Sequence, residues 1–325
     1  HRSAKNDAVP RPDATGEDND TDPVERAAVY EVVNRYASAF WGRAWFELAT
    51  SLAFYAIVWS YREYVWIAAP LASGLRVRLF ILFHDMAHDS YFPSTLANKI
   101  VGTVVGTLNH SPYSFWKKGH DHHHRHSNNL KYPQLSQSSP WTLEFYNSRP
   151  AWQQALYRFV FHPFGFLIVA PITLFGLIMR FVSTWYELAL EAAYFYVMWN
   201  YGLLKFDLLS YFLAGIPAFA LFHAQHTFPK AARFPPERWS FYENAMSGSS
   251  FLQVPWYFKY FTASIEIHHI HHLNPKVPFY RLPDCHRAAG KLFDRVPRIY
   301  LSDCFQYMTP MVWDEANDCW HKIEA

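Results

Sequence analysis

The chain has 325 residues, of which 51% are hydrophobic, 19% aromatic and only 17% charged. Apolar residues gathered in long blocks point to membrane embedding, and a formal net charge of +2 without a basic tract gives no case for nucleic acid. Three widely spaced C-terminal cysteines, Cys285, Cys304 and Cys319, form neither a disulfide framework nor a zinc ribbon, and fit a reducing, cytosol-facing end.

Residues 1–27 carry Asp7, Asp13, Glu17, Asp18, Asp20, Asp22 and Glu25 with three prolines. This predicts a disordered acidic tail rather than a signal peptide, since it has no apolar core region. A single membrane domain is expected over 28–325. Its first apolar block runs from Ala44 to Tyr61, and the second from Tyr64 to Phe83, interrupted by Arg76 and Arg78. Ala97–Leu108 is too short to span, because about 20 apolar residues are needed to cross a bilayer. Pro163–Phe181, Leu188–Leu204 and Leu208–Phe222 are the remaining blocks. No strand pattern or internal repeat is evident, so the expected class is all-α.

Histidines punctuate these blocks. His84 and His88 are i,i+4; His120, His123 and His124 are i, i+3 and i+4; His268, His271 and His272 repeat that pattern. A smaller cluster holds His223 and His226. These spacings put ring nitrogens on single helical faces, and neutral imidazole is the commonest protein metal ligand. Iron, zinc, copper and nickel all suit such donors. Eight cluster histidines exceed the four or so that one structural zinc takes, so two ions are the economical reading.

A shared metal centre requires all clusters on one side of the membrane. Ala97–Leu108, the one block between His88 and His120, must then be interfacial or re-entrant. Of the three blocks between His124 and His226, only two can span. Leu188–Leu204 and Leu208–Phe222, joined by a turn at Lys205–Asp207, are the expected pair, with Pro163–Phe181 along the membrane surface. The expectation is therefore two helical hairpins (four spans), with the clusters at the cytosolic ends of the second and fourth spans. Short helices over Phe115–Arg125 and Phe261–His272 would close over them. Aromatic stretches at Trp59–Trp66, Tyr194–Trp199 and Trp256–Tyr260 read as interface belts and core.

Arg78–Ser94, Tyr113–Asn128, Phe222–Phe228 and Gly248–Pro283 hold three histidine boxes in the order HxxxH, HxxHH, HxxHH, with a long gap before the last. Over residues 40–290 the chain resembles the membrane-bound fatty acid desaturases, most closely the acyl-lipid Δ12/ω6/ω3 type. The resemblance implies a non-haem di-iron centre held by His84, His88, His120, His123, His124, His268, His271 and His272, which would be the catalytic set. It implies a ninth ligand at the end of the fourth span, matched by His226, with His223 the weaker choice. O2 as co-substrate, a fatty-acyl lipid as substrate, and ferredoxin or cytochrome b5 as electron donor follow, with the clusters on the cytosolic or stromal face. No cofactor beyond the metal is expected. His162–Gly165 only superficially matches a cytochrome b5 haem motif and reads as a turn.

Of the other histidines, His122 and His126 lie off the ligand face. His269 is ambiguous by spacing alone, because His269 and His272 are also i,i+3; the family box selects His268. His110, His162, His286 and His321 are isolated and read as satisfied surface or core groups. Asp85, Asp89, Asp121 and Glu266 lie near ligands as orienting acids or as simple capping groups. Lys117 and Lys118 fit either a docking patch for an acidic electron carrier or a charged rim. A hydroxylase, ketolase, acetylenase or epoxygenase on the same scaffold, acting on an acyl chain or a carotenoid, is the alternative outcome. A metal transporter is disfavoured by the nearly apolar third and fourth blocks. Tyr280–Leu282, after the third box, favours the desaturase type.

Overall fold

The computed structural model describes residues 22–132, 140–169 and 183–323. The first helix lies partly inside the acidic stretch. Helix α1 (Pro23–Arg35) opens with Asp22, whose side chain accepts from the Val24 amide, and with Pro23 in the first turn, where a missing N–H costs nothing. Val29 and Val33 are fully buried, which anchors it. Residues 23–27 of the expected tail belong to this helix, and residues 1–21 lie outside the described residues.

α2 (Trp41–Ser60) and α3 (Val65–Ala87) form the first hairpin. α3 continues past the apolar block, so His84 sits in its last turn and His88 is its C-cap. α4 (Thr95–Leu108) has 14 residues, and at about 1.5 Å per residue it falls well short of the roughly 30 Å bilayer core. Ser94 caps it by accepting from the Ala97 amide at 3.3 Å. It packs closely through Gly102 and Gly106: an added Cβ would lie 2.6 Å from the Tyr113 ring and 2.9 Å from Phe83 respectively. α5 spans Tyr113–His126.

α6 (Leu143–Asn147) and α7 (Ala151–Phe161) follow, with His162 the C-cap of α7; of the expected turn at His162–Gly165 only His162 breaks the helix, since residues 163–164 are helical. A single π-helical turn occupies Gly165–Val169. Most of Pro163–Phe181 lies outside the described residues.

α8 (Trp185–Asn200) and α9 (Leu204–His226) form the second hairpin. The turn between them is not at Lys205–Asp207. It is at Tyr201–Leu203, where Gly202 takes a left-handed φ of +67°. Asp207 thus lies inside α9, and α8 has 16 residues. Among the described helices, α3 and α9 are the two long and apolar enough to cross a membrane. α2 and α8 carry Glu47, Glu187 and Glu191, which lower their hydropathy although all three side chains are buried in the bundle.

Glu47, Glu191, Asp207 and the two arginines of α3 form networks that tie the helices together within and between the hairpins. Arg78 pairs with Glu47 and donates to Ser51 Oγ at 2.8 Å, joining α3 to α2. Arg76 pairs with Asp207 and donates to Ser210 Oγ at 2.9 Å and to the Leu108 carbonyl at 2.6 Å. Asp207 also accepts from Tyr194 Oη at 2.6 Å, while the His110 ring bridges Glu191 (2.7 Å) and Asp207 (2.8 Å). The residues that interrupt the apolar blocks are thereby paired where no water reaches them.

After α10 (Phe241–Ser247), the expected helix Phe261–His272 is broken in two. α11 (Lys259–Thr262) and α12 (His268–Leu273) are separated by residues 263–267, which open with Ala263 and Ser264 at left-handed φ of 45° and 58°. α13 (Leu282–Ala289) and α14 (Leu301–Tyr307) complete the helices. The chain is mostly helical, as expected, with two small sheets added among the described residues. β1 (Phe251–Gln253) pairs in parallel with β2 (Arg298–Tyr300), Phe251 opposite Arg298. β3 (Met311–Asp314) pairs antiparallel with β4 (Cys319–Lys322), Asp314 opposite Cys319. Strands of three or four residues are too short to show an alternating pattern.

Large aromatics are exposed at both ends of the hairpins. Tyr61, Tyr64, Trp66, Trp199 and Tyr201 mark one end, and Trp41, Trp45 and Trp185 the other, as interfacial belts do.

Candidate metal centre

Four helices deliver histidines to one place. α3 contributes His84 and its cap His88, α5 contributes His120, His123 and His124, α9 ends on His226, and α12 carries His268, His271 and His272. All nine are buried. The site lies at the C-terminal ends of α3, α5 and α9, where the helix macrodipole favours positive charge.

The rings fall into two groups. In the first, His120 Nε2 lies 3.0 Å from His84 Nε2 and 3.1 Å from His124 Nε2, and His271 Nε2 lies 2.9 Å from His124 Nε2. His88 completes it, with ring centroids 4.6 to 4.9 Å from those of His84, His120, His124 and His271. The second group centres on His226, whose Nε2 is 2.8 Å from His268, 3.1 Å from His123 and 3.2 Å from His272. His124 and His272 stack at 4.4 Å, joining the groups.

Hydrogen bonding cannot satisfy this arrangement. The Nε2 atoms of His226, His268 and His272 form a triangle with edges of 2.8, 3.1 and 3.2 Å. A ring nitrogen that carries a proton has no lone pair with which to accept, so the triangle holds one hydrogen bond at most. His88 Nε2 is buried with no partner at all. Cations between the rings would satisfy every one of these atoms. Burial, then the neighbouring imidazoles, holds His88, His120, His124, His268, His271 and His272 well below the usual imidazole range. Burial likewise pushes His123 down to about 3. These rings are neutral at pH 7, the state in which imidazole binds metal.

Comparison with known proteins identifies the chemistry. The family model for fatty acid desaturases matches residues 64–302, most of the chain. The chain belongs to the fatty acid desaturase family. These enzymes are oxygen-dependent oxidoreductases of lipid metabolism. A Bacillus subtilis protein named fatty acid desaturase is 33% identical to this desaturase over 261 residues, covering 76% of this chain and 74% of its own. An sn-1 oleoyl-lipid 12-desaturase from a Picosynechococcus species is 25% identical, with 78% and 77% covered. A chloroplastic omega-6 fatty acid desaturase from Brassica napus is also 25% identical, with 76% of this chain and 59% of its own covered.

The remaining histidines of the desaturase lie apart from the two groups. His223 Nε2 donates to the Tyr307 carbonyl at 3.1 Å. His269 turns away, packing on Phe293 at 4.6 Å and His286 at 5.3 Å. His122 stacks on His126, which in turn contacts Tyr132. His162 is exposed, and its Nδ1 accepts from the Phe164 amide at 3.3 Å. His110 and His321 are not isolated: the first lies in the Arg76–Asp207 network, and the second is 3.0 Å from Asp314.

Of the four acids, Asp85 is placed most directly. Its Oδ1 is 3.0 Å from His84 Nδ1, which fixes the ring with Nε2 facing the group, and its Oδ2 accepts from the Phe279 amide at 2.6 Å. Asp121 Oδ1 is 3.9 Å from His88 Nδ1. Asp89 sits 3.3 Å from Lys117 Nζ, and Glu266 is engaged by Thr262 Oγ1 at 2.7 Å instead of by a ligand. Lys117 donates to the Ala87 carbonyl, which ties it into the rim of the site, whereas Lys118 is exposed. Two supporting residues carry no motif signal. Trp116 stacks on His120 at 4.2 Å, and Lys276 donates to the His88 carbonyl at 2.7 Å.

Proposed function

We propose that this desaturase introduces a cis double bond into the acyl chain of a lipid, using O2 and two electrons from ferredoxin or cytochrome b5. The observation that carries this reading is the convergence of nine buried imidazoles into two groups where the α3, α5 and α9 helices end. Iron is the cofactor, one ion facing His84, His88, His120, His124 and His271, the other facing His123, His226, His268 and His272. Bound there, iron supplies the oxidising power that breaks unactivated C–H bonds, a task outside the reach of side-chain acid–base chemistry. One O2, two electrons and two protons remove two vicinal hydrogens and yield two waters.

The chain's own residues hold that site in shape. Asp85 sets the tautomer of His84 and, through the Phe279 amide, ties α3 to the segment after the third box. Lys117 and Lys276 hold the carbonyls of Ala87 and His88 at the end of α3. Trp116 seals one side of His120. The name of the Picosynechococcus relative, an oleoyl-lipid desaturase, supports an acyl-lipid substrate. The paired hairpins and the two aromatic belts support four spans, with the histidines on the cytosolic or stromal face.

Lipid analysis of a desaturase-free host expressing the chain tests this directly. New cis double bonds in membrane lipids are expected. Hydroxylated, keto, acetylenic or epoxy products without new alkenes would replace desaturation with the alternative chemistry on the same scaffold.

A further inference from the structure

We infer that the C-terminal hairpin of β3 and β4 is a third metal site, a zinc site formed by Asp314, Cys319 and His321. Asp314 and Cys319 are directly paired across the two strands, and His321 lies two residues beyond Cys319 on the same face. Their ligand atoms all lie within 4.8 Å of one another, and none of the three is fully exposed. His321 Nε2 is 3.0 Å from Asp314 Oδ2 and 3.5 Å from Cys319 Sγ.

Both contacts converge on a single ring nitrogen. In a hydrogen-bonded Cys–His–Asp relay the thiol and the carboxylate would engage opposite ring nitrogens. Here a single Nε2 proton would have to be shared between the carboxylate and the weakly accepting sulfur, and an Nε2 that instead accepts from the thiol has no proton for the carboxylate. A cation satisfies both contacts at once. The distances are near those of one: zinc bonds of about 2.3 Å to sulfur and about 2.05 Å to nitrogen and oxygen give tetrahedral edges of about 3.5 and 3.3 Å, against 3.5 Å from Nε2 to Sγ and 3.0 Å from Nε2 to Oδ2. Thiolate, imidazole and carboxylate together are a zinc donor set, with water in the fourth position.

The carboxylate is held for this task by its own surroundings. Asp314 Oδ1 accepts from the amides of Ala316 (2.9 Å) and Asn317 (3.2 Å), and Oδ2 accepts from Asn317 Nδ2 at 2.8 Å. Such outer partners orient ligands in metal sites. The hairpin also braces the chain just beyond His226. The Trp320 indole donates to the Ala231 carbonyl at 2.9 Å, and the Arg233 guanidinium lies over the Trp320 ring at 5.6 Å. Zinc in the hairpin would therefore fasten the segment that follows α9.

The full-length protein, purified in detergent with iron in place, is given excess zinc sulfate, desalted and analysed for both metals. About one zinc per chain is expected beyond the iron. It should fall at least tenfold in Cys319→Ser and in His321→Ala, with iron unchanged. Unchanged iron reports that the variants are folded. Cobalt(II) in place of zinc should give thiolate-to-cobalt charge-transfer absorption in the wild type and none in Cys319→Ser. Wild-type protein that retains no zinc, or variants that retain as much as the wild type, would overturn the site.

Discussion

His226→Ala should reduce desaturation to background. His226 lies in none of the three histidine boxes, yet its Nε2 is the atom that His123, His268 and His272 all approach, at 3.1, 2.8 and 3.2 Å. Replacing the central ring leaves three ligands around a gap in a buried site that no water reaches easily. Loss of an outer supporting residue already costs about 10- to 100-fold in metal affinity, so loss of a ligand should cost more. Bound iron should fall from about two to about one per chain, with the first group still loaded. His223→Ala, one helical turn away, is the control: its ring is spent on the Tyr307 carbonyl. It should keep near-normal product and iron. Equal activity in the two variants would remove His226 from the ligand set.

Asp207→Ala should destabilise the fold without touching any of the nine histidines. Arg76 and Asp207 are almost completely buried, and the carboxylate also accepts from Tyr194 and pairs with His110. Truncation strands the guanidinium away from water. Breaking a buried pair in this way typically costs about 3–5 kcal/mol. The exposed Glu31–Arg35 pair on α1 is the contrast, because solvent screens it, and Glu31→Ala should leave stability unchanged. Thermal unfolding in detergent separates the two cases. A wild-type melting temperature in Asp207→Ala would show that the network is not what joins the hairpins.

How far the sequence can be read depends on how local each signal is. The ends of α3 and α9 are legible because helical apolar blocks run straight into i,i+4 histidines or a terminal His226. The demand that ligands share one membrane face then places the short α4 outside the spans. The Arg76–Asp207 pair is not legible, because its members are 131 residues apart and each looks locally like a flaw in an apolar block. His110 stands alone in the sequence for the same reason, its partners lying 81 and 97 residues away. The break between α11 and α12 rests on left-handed φ at Ala263, which gives no turn warning, and at Ser264, one lone and weak turn former. The C-terminal strands are too short to alternate, so the face shared by Asp314, Cys319 and His321 emerges only once β3 and β4 pair.

The central claim is that the two histidine groups hold two irons, and metal analysis of the purified wild-type protein tests it most directly. Expressed under iron-replete conditions and quantified against protein concentration, the chain should carry about two irons, in addition to any zinc in the C-terminal hairpin. Iron at one per chain or below, or zinc in place of iron at the histidine groups, would contradict it.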